Sequence, residues 1–66
     1  MAAKPHGYDV IEAANALEVS EYTIFEWAYH AFYGRTEREA IERAFGLYIA
    51  HNKVPHWLRH YLREMQ

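Results

Sequence analysis

Residues 11–32 read IEAANALEVSEYTIFEWAYHAF, and the fold turns on how this stretch divides. Asp9 with Glu12 three residues later makes a capping-box-like start, after which Val10, Ile11, Ala14 and Leu17 recur at helical spacing. The pattern predicts a first helix over 9–17. Ser20 is placed to cap a second, over 21–33. Its apolar residues Ile24, Trp27, Ala28, Ala31 and Phe32 fall at i, i+3, i+4, i+7 and i+8, and Gly34 stands where a left-handed residue would end it. Two short helices joined by a turn with a hydrophobic residue on each side, Leu17 and Val19, form a unit that closes on itself.

Further along, TERE (36–39) predicts a capping box in which Thr36 accepts the amide of Glu39. A third helix over 37–51 would then turn Ile41, Ala44, Phe45 and Tyr48 inward and place Arg38 with Glu42, and Glu39 with Arg43, four apart on the wet side. Gly46 lowers helix propensity by about 1 kcal/mol relative to Ala, so it is expected at a close helix crossing. Asn52 suits a stop. Pro55 fits the first turn of a fourth helix over 55–65, in which Val54, Trp57, Leu58, Tyr61, Leu62 and Met65 form one apolar stripe. Nothing alternates with period two beyond short pieces, and there is no hairpin signal. The expected fold is all-α: a compact four-helix domain over 1–66 with a helix-turn-helix-like N-terminal half and a short flexible lead-in over 1–7.

Composition narrows the function. A chain of 66 residues buries only about 60% of the surface its unfolded form exposes, so small domains of this kind usually need a staple. There is no cysteine, which removes disulfides, thiol catalysis and thiolate metal sites. The chain is 52% hydrophobic and 17% aromatic, more apolar surface than one small core easily hides, so self-association is the expected staple. No apolar run approaches the roughly 18 residues of a membrane span, and MAAKPHGYD lacks a long hydrophobic signal core; the expectation is a cytoplasmic protein without a membrane partner.

Residues 10–28, VIEAANALEVSEYTIFEWA, resemble the helix-turn-helix of small bacterial and phage regulators, above all the "EAA…L.VS..T…W" openings of MerR-like and excisionase-like domains. The resemblance implies that Ala14 is small where the helices cross, that Leu17 and Val19 bracket the turn and point inward, and that Ile24 and Trp27 close the small core. Glu18 stands where the family usually has Gly in the turn. The family's base-reading residues would map onto Glu21, Tyr22, Phe25 and Glu26, with no Lys or Arg among them.

A DNA-reading helix normally carries cations to neutralise phosphates. Here residues 1–34 set Lys4 against Asp9, Glu12, Glu18, Glu21 and Glu26, while 51–66 set Lys53, Arg59 and Arg63 against Glu64. The acidic second helix disfavours DNA, though a carboxylate can accept from a cytosine amino group, and Lys53, Arg59 and Arg63 remain candidate nucleic-acid contacts. On the second helix Tyr22, Phe25, Tyr29 and Tyr33 form another stripe beside the expected core face. Together with Glu26 these five are the expected partner interface, unless the fourth helix folds over them within the monomer.

His56 and His60, four apart, could share a metal, but no third ligand is fixed nearby, so a solvated, pH-sensitive face is expected and no metal or cofactor. Glu26 and His30 are also four apart. Without a nucleophile, phosphate loop or orienting group, catalysis is not expected. The sequence therefore points to a non-catalytic binding module that forms a homo-oligomer or binds a protein, with a DNA-binding regulator as the alternative.

Overall fold

Helix caps set the element boundaries. The computed structural model describes residues 9–65, so the lead-in expected over 1–7 lies outside the described residues. Four helices follow in order: α1 (Val10–Leu17), α2 (Glu21–Tyr33), α3 (Arg38–His51) and α4 (His56–Glu64), with no strand among the described residues. At the head of α1, the Asp9 side chain accepts from the Glu12 amide at 2.9 Å. At the head of α2, Ser20 Oγ accepts from the Thr23 amide at 3.1 Å and lies 2.9 Å from the Thr23 hydroxyl. Both satisfy amides that the first turn leaves without an intrahelical partner.

The stops are left-handed residues. Glu18 (φ 59°), Gly34 (φ 77°) and Asn52 (φ 57°) end α1, α2 and α3. Gly adopts this region without steric penalty and Asn with little; Glu does so at a cost of about 1–2 kcal/mol. The Val19 amide donates to the Ala14 carbonyl at 3.0 Å, closing the end of α1 and turning the chain toward α2.

Two boundary expectations are corrected. The Thr36–Glu39 capping box does not form: α3 is capped by the backbone of Glu37, with no side-chain cap. Starting one residue later places Glu39 at the second helical position, from which it no longer reaches back to Thr36. The Glu37 carboxylate instead pairs with Arg35 at 2.9 Å. Pro55 likewise sits just before α4 rather than in its first turn, its carbonyl accepting from the Arg59 amide at 3.1 Å. The expected Arg38–Glu42 pair is present, at 3.9 Å and exposed on both sides.

α2 is the hub, and its principal packing partners are all three other helices. The core joins Val10, Ala13 and Ala14 of α1, Ile24, Phe25, Ala28 and Tyr29 of α2, Ile41 of α3, and Trp57, Leu58 and Leu62 of α4. Ala44, Phe45 and Tyr48 of α3 pack on it half-buried, with Val19, Val54, Tyr61 and Met65. Among the described residues the core contains no buried polar or charged residue. Gly46 does not mark a close crossing: a methyl group added there would meet nothing within 4 Å, and the residue is exposed.

The rotation of α2 is the main departure from the sequence pattern. At 100° per residue, the expected core arc (Trp27, Ala31, Ile24, Ala28, Phe32) and the observed one (Ile24, Ala28, Phe25, Tyr29) differ by about 60°. Trp27 and Phe32 are 43% and 44% exposed, and Leu17, expected to point inward, is 41% exposed. α3 and α4 together account for it: the Phe45 and Tyr48 rings pack on Phe25, and Trp57 packs on both Phe25 and Tyr29.

Candidate functional site

Where α2 meets α3, the chain buries most of the stripe expected to face a partner. Phe25 is 0% exposed, with ring centroids 5.1 Å from Phe45, 5.3 Å from Tyr48 and 5.9 Å from Trp57. Tyr29 is 7% exposed and stands edge-on to Trp57 at 5.2 Å. Tyr22 is half-buried, edge-on to Phe45 at 5.3 Å, and its hydroxyl is buried without a hydrogen-bond partner. The expectation that Phe25 and Tyr29 face a partner is therefore corrected: they are core, covered by α3 and α4 within the chain. Of the five expected interface residues, Tyr33 is exposed (45%) and Glu26 half-buried.

The acidic head of α2 is also engaged internally. The Tyr48 hydroxyl donates to Glu21 Oε2 at 3.2 Å, tying α3 to the first turn of α2. Partial burial, reinforced by the Glu21 charge and hydrogen bond, pushes the Tyr48 phenol up to about 12. Of the four positions onto which base reading would map, Glu21, Tyr22 and Phe25 thus contact α3, and only Glu26 is without such a contact among those described.

The cations lie elsewhere. Arg59 donates through Nη1 to the Val54 carbonyl at 3.0 Å, bracing the turn before α4. Lys53 and Arg63 are exposed at opposite ends of the α4 region. His56 and His60 do not converge on a third ligand; no group of three His, Cys, Asp or Glu among the described residues could hold a metal ion. Their rings instead stand edge-on to Phe32, at 5.3 and 5.8 Å, and His60 Nε2 lies 4.0 Å from Glu64.

What the rotation of α2 leaves outside is a set of aromatic side chains flanking α4. Phe32 and Tyr33 touch at 5.0 Å, and Tyr33 continues to Tyr29 at 4.5 Å. On the other flank, Glu26, Trp27, His30 and Ala31 of α2, Thr36 of the following loop and Tyr61 of α4 line an open cleft of about 400 Å³. His30 Nδ1 and the Thr36 hydroxyl lie 3.4 Å apart across its rim. The helical spacing reads Trp27, Ala31 and Phe32 as core, so the pattern contains these residues but assigns them to the wrong side, whereas Tyr61 packs against the core as expected and also lines the cleft. No helix among the described residues is long and apolar enough to cross a membrane. Comparison with known protein families, with curated proteins and with solved structures finds no match to this chain.

Proposed function

We propose that the chain is a small, non-catalytic helical binding module that works in the cytoplasm. It associates, with itself or with another protein, through the aromatic surface flanking α4. One observation carries this reading: Trp27, Phe32 and Tyr33, three large rings on one short helix, are each more than 40% exposed after the core is complete. Aromatic residues bring large rigid contact area with a polar tip, and they anchor protein interfaces more often than other types. The surface replaces the Tyr22–Phe25–Tyr29 stripe as the site of association. Its scaffold is the α1–α2 pair that resembles a helix-turn-helix.

The alternative, a DNA-binding regulator, has less support. The first turns of α2, which such a regulator would present to a groove, pack against Phe45 and Tyr48, and Arg59 is engaged by Val54. Sedimentation across a hundredfold dilution is the test, with Trp27→Ser/Phe32→Ser beside the parent. The expected result is a concentration-dependent mass for the parent and a helical monomer for the double variant. A parent that stays monomeric throughout and binds mixed-sequence DNA below micromolar, with affinity falling steeply as salt is added, would overturn the reading in favour of the regulator.

A further inference from the structure

The cleft beside Trp27 has a chemistry distinct from the rest of the aromatic surface. Glu26, Trp27, His30 and Ala31 sit on the side of α2 opposite the core, an arc of about 140° at 100° per residue. Ala31, whose side chain is a single methyl group, lines the cleft together with the Trp27 indole and the Tyr61 ring. Among the described residues the Glu26 carboxylate has no ion pair, the Trp27 ring stacks on no other aromatic, and the Tyr61 hydroxyl has no hydrogen bond. No Lys or Arg lines the cleft.

We propose that this cleft is a subsite for a lysine side chain of a polypeptide partner. The ammonium sits by Glu26 and against the faces of Trp27 and Tyr61, and the methylene stem lies over Ala31. A π-face attracts a cation electrostatically, Trp most strongly, and a nearby carboxylate adds to that attraction. An anion is disfavoured by Glu26 and finds no Lys or Arg among the lining residues, His30 being the one other titratable side chain besides Tyr61. A neutral apolar group would leave a half-buried carboxylate facing it without compensation. The open mouth suits a side chain inserted from a surface alongside, whose apolar stem covers apolar wall while its charged tip stays partly wet. The proposal rests on the association surface described above and specifies the group that enters it.

The test is a titration of the full chain, at a concentration where sedimentation shows a single species, followed by the indole N–H signals of Trp27 and the buried Trp57. The probes are a blocked Gly-Lys-Gly peptide, the same peptide with norleucine for lysine, and free n-butylammonium. The lysine peptide is expected to shift Trp27 saturably in the millimolar range while leaving Trp57 unmoved, and to bind at least fivefold more tightly than the norleucine peptide. Glu26→Gln should abolish most of that preference, and Trp27→Leu should weaken the peptide severalfold with helicity retained.

Equal binding of the norleucine peptide, an unchanged affinity in Glu26→Gln, or no saturable shift would each overturn the proposal. So would n-butylammonium binding as tightly as the lysine peptide, because it would assign the cleft to a free amine. Failure here leaves the self-association measured by sedimentation untouched, so the two readings fail separately.

Discussion

Replacing Phe25 with Ala separates a core residue from an interface residue, and the two assignments predict opposite behaviour. Phe25 is wholly buried and its ring is edge-on or tilted to Phe45, Tyr48 and Trp57 at 5.1–5.9 Å. Truncating a buried Phe costs about 3–5 kcal/mol through lost transfer energy and the cavity left behind, and aromatic pairs add to this beyond their area. A domain of 66 residues has a total stability of about 3–10 kcal/mol. Phe25→Ala should therefore remove a third or more of it, lowering the melting temperature by more than about 12 °C at some 4–8 °C per kcal/mol. Urea unfolding followed by far-ultraviolet circular dichroism at 25 °C measures this directly. Trp27→Ala, on the same helix but 43% exposed, should cost no more than about 1 kcal/mol. A cost for Phe25→Ala below about 1.5 kcal/mol, or one matched by Trp27→Ala, would refute the reasoning. So would a Phe25→Ala protein of unchanged helicity that sediments as a monomer where the parent does not.

Two further perturbations follow from backbone and charge. Glu18 holds a left-handed conformation (φ 59°, ψ 45°) that costs a non-glycine residue about 1–2 kcal/mol, while glycine adds about 0.4–1 kcal/mol of unfolded-state entropy. Glu18→Gly should thus stabilise by up to about 1.5 kcal/mol, and a lower urea midpoint would show that the Glu18 side chain contributes something the geometry does not reveal. Tyr48 has its phenol pushed up to about 12 from 10.0, so its contribution to stability is fully present below pH 10 and is lost as pH rises through 12. The stability gap between the parent and Tyr48→Phe should accordingly narrow from about pH 9 to about pH 11.5, and a constant gap would contradict the placement of the Tyr48 phenol, partly buried and beside Glu21.

Local chemistry fixed the number of helices and the starts of the first two. Asp9 and Ser20 start helices because their side chains accept from the amides three residues on, and Gly34 and Asn52 end helices because they accept a left-handed backbone. Each effect lies within about one turn, so no knowledge of the fold is needed to read it. The inward face of α4 was legible for a related reason: its apolar and charged residues separate cleanly, and Trp57, Leu58 and Leu62 are buried as their spacing requires.

The capping box at Thr36 failed because one residue of register at a helix start depends on neighbours such as Arg35 and His30, which lie outside the four-residue motif. α2 was not legible in the same way. Aromatic and aliphatic residues cover roughly two thirds of its circumference, more than the core could take, so the sequence specified a helix that must be covered on several sides without saying which ring faces where. Only the arrival of α3 and α4, with Phe45 and Tyr48 closing over Phe25, Trp57 against Phe25 and Tyr29, and Tyr48 reaching Glu21, set the rotation of the hub. That rotation turned Glu26 and His30 away from the core, buried Phe25 and Tyr29, and left Trp27, Phe32 and the cleft beside Tyr61 on the surface, because a helix whose apolar arc is wider than its core takes its orientation from whatever packs against it.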